Sequence, residues 1–157
     1  QFLENEIWVT GLDNTSSQGD RAVVDLIPNM KTQSTTIDAS DIPDLVPILS
    51  VVAASNHGAT FTNIQRLRLK ESDRVASTVA MLESLGGKAT STEDKLTIHP
   101  CRFTGGIVDA MNDHRIAMSA AIAATSATGP VTIKGAECVK KSYPKFWDEY
   151  SRLGGNL

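Results

Sequence analysis

The stretch LVPILSVVAA, residues 45–54, decides the fold of this 157-residue chain. A helix is predicted from about residue 44 to residue 55, because Asp44 is a suitable N-cap and Pro47 falls in the first turn, where proline is tolerated. Apolar residues occupy nearly every face of this helix. A helix of this kind is buried on all sides, so the rest of the chain must cover it.

A second helix of the same kind is predicted at residues 116–127, and Asp113 precedes it as Asp44 precedes the first. The flanking segments repeat as well: 106–110 is similar to 36–39, 129–133 to 58–62, and 153–155 to 85–87. All of these matches are offset by about 70 residues, which indicates an internal duplication.

Each unit is predicted to contain a strand, the buried helix, a strand, an amphipathic helix and a strand pair. The first unit is assigned to residues 1–87, with an insertion at 11–29, and the second to residues 88–157. The arrangement predicts an α+β fold of tandem βαβαββ repeats, with the helices inside and the sheets outside. Further predicted elements are strands at 6–10, 22–27, 34–38 and 59–64, a helix at 75–85, and a hairpin of 88–92 with 95–99.

Composition excludes several classes of function. A net charge of −3 does not suit a general nucleic-acid surface, and no apolar run is long enough to span a membrane. Cys101 and Cys138 are interpreted as packing residues of a cytoplasmic protein, and the three histidines lack metal-ligand spacing with them, so no metal is expected. Because the chain begins with glutamine, it is interpreted as part of a longer protein.

The stretch LRLKESDR, residues 67–74, is a charged turn that leads into the amphipathic helix, with Ser72 as its predicted N-cap. Arg74 then lies in the first turn with Lys70 just before it. A cation at this end of a helix costs a few tenths to about 1 kcal/mol unless an anion is bound there. For an isolated run, a solvated and self-neutralising set of charges is the simpler interpretation.

Cations near predicted helix starts recur in the second unit, where Arg115 follows Asp113 and Lys141 precedes the last helix. Cations at the predicted starts of several helices indicate a shared site for phosphate or carboxylate. The candidate cations are Lys70, Arg74, Arg115 and Lys141.

Four segments resemble motifs of the EPSP synthase family: IPD at 42–44, LRLKESDR at 67–74, NDHRIAM at 112–118 and KSYP at 141–144. The resemblance implies the α/β prism fold shared by enolpyruvate transferases and RNA 3'-phosphate cyclases, with six βαβαββ units in two domains. This chain then corresponds to about two units of the second, C-terminal domain. Its partner is the N-terminal domain of the same protein, which carries the remaining ligands.

The implied reaction transfers the enolpyruvyl group of phosphoenolpyruvate to the 5-hydroxyl of shikimate 3-phosphate, with release of phosphate and without a cofactor or metal. By motif, Asp44, Glu71 and Lys141 are the implied catalytic residues. Asp44 and Lys70 are implied to contact shikimate 3-phosphate. Arg74, Arg115 and Lys141 are implied to bind phosphoenolpyruvate, and Asp113 has a supporting role.

Other interpretations remain open. A sister transferase acting on UDP-N-acetylglucosamine shares the repeat, although the LRLKESDR and NDHR motifs argue against it. RNA 3'-phosphate cyclase also shares the repeat, but its nucleotidylated-histidine motif is not found. By itself the chain is expected to be an inactive module that binds anions weakly, and His114 is interpreted as a packed residue.

Overall fold

The computed structural model describes residues 10, 11, 13 and 15–157; the strand predicted at 6–10 therefore lies almost entirely outside the described residues. Five α-helices and six strands are found among the described residues, together with 3-10 helices at Gly19–Ala22, Gln65–Leu69 and Ala136–Lys141. In chain order the main elements are α1 (Val23–Met30), β1 (Thr35–Asp38), α2 (Val46–Ser55), β2 (Ala59–Thr62), α3 (Arg74–Ser84), β3 (Lys88–Ser91), β4 (Lys95–His99), β5 (Gly106–Asp109), α4 (His114–Ala124), β6 (Val131–Lys134) and α5 (Phe146–Arg152).

The strands form two sheets. One has the order β1-β2-β4-β3, in which β1 and β2 are parallel and the hairpin of β3 and β4 joins antiparallel. The other consists of β5 and β6, which are parallel. Each parallel pair is linked through one apolar helix, as the duplication requires. The four-stranded sheet combines β1 and β2, which precede residue 87, with β3 and β4, which follow it. The predicted boundary between the two units at residue 87 stays a prediction.

Helix α2 lies at the centre of the core. Its residues from Val46 to Ala54 are buried except for Ile48, and it packs against α4, the corresponding helix of the second unit. Phe61 of β2 and Leu96 of β4 are fully buried in the same core. The predicted α+β fold, with apolar helices inside and sheets outside, is confirmed.

The strand predicted at residues 22–27 is wrong, because this segment begins helix α1. Its β-branched residues favour a strand locally. However, Leu26, Ile27 and Met30 lie on one helical face and pack into the core, with Met30 completely buried. The helical periodicity of this face therefore prevails over the local strand preference.

Two of the three predicted helix caps are wrong. Leu45 rather than Asp44 precedes α2, and the Asp44 side chain caps nothing. Helix α3 is capped by Asp73, whose carboxylate accepts a hydrogen bond from the Ala76 amide, and not by Ser72. Asp113 caps α4 as predicted, since it accepts from the Arg115 amide.

Gly86 ends α3 and lets the chain turn into β3. Its φ is +87°, and a Cβ built at this position would lie 2.5 Å from Thr104 Oγ1. Only glycine avoids both the strained backbone and the clash. Among the described residues, no helix is long and apolar enough to cross a membrane.

Candidate active site

Three helix N-termini bring the candidate residues together. Asp44 lies just before α2, Arg74 is the first residue of α3, and Asp113 caps α4. Lys70 and Glu71 lie between the 3-10 helix Gln65–Leu69 and α3. Because α2, α3 and α4 pack against one another in the core, their N-terminal charges meet in one cluster.

Arg74 is the centre of this cluster and its side chain is 0% exposed. Its Nε donates to Asp113 Oδ2 at 2.9 Å and its Nη1 donates to Asp44 Oδ1 at 2.7 Å. Its Nη2 donates to Glu71 Oε2. Burial lowers the pKa of Arg74, but its carboxylate partners, with Asp113 foremost, raise that pKa above its ordinary value. The buried guanidinium is therefore charged and fully paired.

Asp44 joins the cations of both units. Its Oδ1 accepts from Arg74, and its Oδ2 accepts from Arg115 Nη2 at 2.6 Å. Lys70 Nζ lies 3.6 Å from the same Oδ1. Burial raises the pKa of Asp44, but Arg115, Arg74 and Lys70 together outweigh burial and hold that pKa below its ordinary value. Asp44 is therefore an anion held by three cations.

Asp113 is a completely buried carboxylate between α3 and α4. Its Oδ1 accepts from the Arg115 amide at 2.9 Å, and its Oδ2 accepts from Ser72 Oγ at 3.2 Å in addition to Arg74. Ser72 Oγ in turn accepts from Ser77 Oγ at 3.1 Å. Asp113 is thus both a helix cap and a structural ligand of Arg74.

Arg115 has donor capacity that the described residues do not use. Its Nη2 is bonded to Asp44, whereas its Nε is buried and has no hydrogen-bond partner in the part of the chain that the structure describes. An unpaired buried N–H is unfavourable, and binding of an anion would remove that penalty. Arg115 is therefore the cation in the cluster best prepared to accept an additional ligand.

Lys141 lies beside the cluster and is attached to it through Asn112. Its Nζ donates to Asn112 Oδ1 at 2.6 Å and to the Asn112 carbonyl at 3.3 Å. Asn112 has a left-handed backbone, with φ of 58°, and directly precedes Asp113. The lysine is exposed, so its ammonium group is accessible to a ligand.

The structure brings together six of the seven residues singled out in the sequence, and Lys141 approaches them at the edge. The six are Asp44, Lys70, Glu71, Arg74, Asp113 and Arg115. Sequence reasoning gave no role to Asn112, although it stands in the NDHR motif, and it treated Ser72 only as a cap. The catalytic and binding roles of these residues stay predictions.

The cluster contains three cations and three carboxylates, so their charges cancel without a ligand. An incoming anion must use the free Arg115 N–H or replace Asp44 or Glu71 as a partner of an arginine. Guanidinium groups suit this exchange because their planar fork binds carboxylate and phosphate in two-point contacts. Among the described residues, no group of three or more His, Cys, Asp or Glu side chains is placed to hold a metal.

Comparison with known proteins agrees with the motifs. Residues 6–150 match the family model described as EPSP synthase (3-phosphoshikimate 1-carboxyvinyltransferase). The 3-phosphoshikimate 1-carboxyvinyltransferase of Clostridium kluyveri is 42% identical over 99% of this chain and 41% of its own length. The corresponding protein of Clostridium acetobutylicum is 43% identical over 99% of this chain and 40% of its own length.

A solved EPSP synthase from Acinetobacter baumannii superimposes with a TM-score of 0.69 at 34% identity, covering 75% of this chain and 28% of that one. The chain thus spans about 40% of the length of the curated relatives it matches. Since the family model covers nearly the whole chain and the relatives align along its full length, the chain belongs to the EPSP synthase family.

Proposed function

We propose that this chain supplies one side of the active site of a 3-phosphoshikimate 1-carboxyvinyltransferase. The remaining ligands come from the rest of a longer protein, here called the full-length protein, which includes an N-terminal domain. Membership of the family and coverage of about 40% of its relatives support this division. The chain alone has no turnover, because its cluster offers ligands on one side only.

The observation that carries the proposal is the convergence of Lys70, Arg74 and Arg115 on the single carboxylate of Asp44. Three cations around one internal anion form a site in which a substrate anion can replace that carboxylate. The Arg115 side chain is 29% exposed, and an anion that enters the cluster can also satisfy its buried, unpaired Nε. The carboxylate of phosphoenolpyruvate fits the two arginines, and Lys141 binds its phosphate.

The reaction has an addition step and an elimination step. The 5-hydroxyl oxygen of shikimate 3-phosphate forms a bond to C2 of phosphoenolpyruvate while a proton is added to C3, and the hydroxyl proton goes to a base. Phosphate then leaves from C2 as C3 gives up a proton, which restores the double bond. The addition forms one C–O and one C–H bond and the elimination breaks one of each, with no net oxidation or reduction, so the proposed steps need no redox cofactor.

Asp44 is the proposed base for the hydroxyl. Burial raises its pKa, but the cations around it, with Arg115 foremost, lower that pKa by more. When the substrate carboxylate binds the arginines, Asp44 loses these partners and its pKa rises toward a value useful for accepting a proton. Binding of the donor thereby activates the base.

Glu71 is the proposed acid that protonates C3 and accepts the proton back during elimination. Its carboxylate bonds Arg74, beside Asp44, and its side chain is 45% exposed. It acts as the acid after the substrate has displaced it from Arg74 and it has taken up a proton from solvent. Lys70 contacts shikimate 3-phosphate together with Asp44. Lys141 is the third proposed catalytic residue and stabilises the charge that develops on the leaving phosphate.

The proposed location is the cytoplasm, in agreement with the free thiols of Cys101 and Cys138. Neither nucleic acid nor a membrane takes part in the proposed function.

The test is release of phosphate from phosphoenolpyruvate by the full-length protein, with shikimate 3-phosphate and UDP-N-acetylglucosamine as separate acceptors. Turnover is expected with shikimate 3-phosphate only. Glu71→Gln and Lys141→Ala should each reduce kcat by at least about 100-fold, in line with loss of an acid or of a transition-state cation.

Lys140→Ala is the matched control for Lys141→Ala, because this neighbouring lysine is also exposed and has no role in the cluster. Its kcat should remain within about twofold of wild type. Turnover with the nucleotide sugar instead would assign the chain to the sister transferase. Full activity of both site variants would remove the proposed catalytic roles.

A further inference from the structure

We infer that Ser72 is a positioning residue that holds Arg74 in place while the guanidinium exchanges its ligands. The inference rests on the proposed function, because it concerns the arginine that binds the donor carboxylate. It adds a residue to which the motifs give no role.

The two ends of the Arg74 guanidinium have different partners. Nη1 and Nη2 bond Asp44 and Glu71, whose side chains are 32% and 45% exposed. Nε bonds Asp113, which is 0% exposed. A ligand that arrives from solvent can replace the exposed carboxylates but not the buried one. The bond from Nε to Asp113 therefore remains when the other two are exchanged.

Ser72 is the second donor to Asp113 Oδ2, the oxygen that binds Arg74. Its hydroxyl has a single proton, which it donates to Asp113 Oδ2, and its oxygen accepts from Ser77 Oγ. Ser77 is 6% exposed, so its hydroxyl has little access to water as an alternative partner. Ser77 thus donates to Ser72 and Ser72 donates to Asp113 Oδ2, the same oxygen that accepts from Arg74 Nε.

Without the Ser72 hydroxyl, Asp113 keeps its bonds to the Arg115 amide and to Arg74, but Oδ2 loses one of its two partners and is held less firmly. The guanidinium of Arg74 is then less firmly positioned when Asp44 and Glu71 depart. Binding of the donor should weaken, whereas shikimate 3-phosphate, which is assigned to Asp44 and Lys70, should be little affected.

The experiment compares Ser72→Ala, Ser72→Thr and the control Ser84→Ala in the full-length protein. Ser84 is the last residue of α3, the helix that follows Ser72, and it is exposed. Ser72→Ala should raise KM for phosphoenolpyruvate roughly fivefold, the size of a typical net hydrogen-bond contribution, with KM for shikimate 3-phosphate within about twofold. Ser72→Thr keeps the hydroxyl and should restore the wild-type KM, and Ser84→Ala should not change either KM.

A second measurement does not depend on turnover. The Nε–H resonance of Arg74, identified by its loss in Arg74→Lys, should exchange with solvent roughly fivefold faster in Ser72→Ala than in wild type or Ser72→Thr. If Ser72→Ala does not fold, Ser77→Ala should produce a smaller change in the same direction. The inference would be overturned by any of three results. These are an unchanged Arg74 Nε–H exchange rate in the alanine variant that folds, a KM that Ser72→Thr does not restore, and an equal rise in the KM values for both substrates.

The two proposals can fail separately. A wild-type protein without turnover would refute the proposed function, and the exchange rate of the Arg74 Nε–H would then decide the role of Ser72 by itself.

Discussion

Arg74 Nε and Asp113 Oδ2 lie 2.9 Å apart, and both side chains are completely buried. The pair connects the first residue of α3 to the residue that caps α4, and the two residues are 39 positions apart in the chain. Buried charges at this distance depend on each other, because neither can be solvated if its partner is removed.

Replacing Asp113 by alanine should therefore destabilise the chain strongly. Loss of the carboxylate leaves Arg74 with an incompletely compensated buried charge and removes the cap of α4. We expect the free energy of unfolding in urea to fall by about 3–5 kcal/mol. Asp148→Ala, at an exposed position on α5, is the control and should change it by less than about 0.5 kcal/mol. If Asp113→Ala lowers the free energy of unfolding by less than about 1 kcal/mol, the buried pair of Arg74 and Asp113 is not important for stability.

The contribution of Asp44 to stability should depend on pH. Its pKa in the folded chain lies below its ordinary value, because the effects of Arg115, Arg74 and Lys70 exceed that of burial. A lowered folded-state pKa stabilises the protein above the unfolded-state pKa of about 4, and this stabilisation is lost as the pH falls through the folded-state pKa. The difference in unfolding free energy between wild type and Asp44→Asn should therefore be constant near neutral pH and shrink below about pH 4. A difference that stays constant as the pH falls through this range would contradict the contribution of the Asp44 ion pairs.

Removal of the Asp44 charge should also make the cluster a better anion site. Asp44→Asn leaves Lys70 and Arg115 without their carboxylate, so inorganic phosphate meets less competition. Calorimetry at low salt should show a dissociation constant roughly tenfold lower than that of wild type, equivalent to about 1.4 kcal/mol. Asp41→Asn removes the same formal charge outside the cluster and should leave the constant nearly unchanged. Weaker phosphate binding by Asp44→Asn would contradict the competition between internal and external anions.

Gly86→Ala should be more destabilising than Gly154→Ala. Both glycines have positive φ, of 87° and 96°, so alanine strains the backbone at either position by about 1 kcal/mol. Only at Gly86 does the new Cβ also clash, since Thr104 Oγ1 would be 2.5 Å away. Thermal unfolding should show the larger decrease in Tm for Gly86→Ala. Equal decreases would indicate that Thr104 moves aside without loss of stability.

The architecture was largely predictable from the sequence. Helices α2 and α4 are apolar on nearly every face, and they lie within segments that repeat after about 70 residues, so both their burial and their equivalence are visible in the pattern. Helix α1 was not found because Val23, Val24 and Ile27 favour a strand locally, and only packing against the core selects the helix.

The site was predictable as a set of residues but not as a set of contacts. Motif spacing identifies Asp44 and Arg115, yet nothing in the sequence indicates that they bond each other across 71 residues. The Asp44 carboxylate resembles a cap locally, because an aspartate before a helix usually accepts from backbone amides. Once the helices are packed, cations from two other helices are closer to that carboxylate and bind it instead.

The balanced charges of this cluster also determine how an anion first encounters the chain. Lys70, Arg74 and Arg115 are compensated by Asp44, Glu71 and Asp113, so the six groups together project little field into the solvent. Electrostatic steering over long distances requires an uncompensated patch of charge. Attraction of an anion to these six groups therefore becomes strong only after contact, when the anion replaces internal carboxylates as the partner of the cations. Selectivity among anions then depends on how well the anion fits the cluster, rather than on long-range electrostatic attraction.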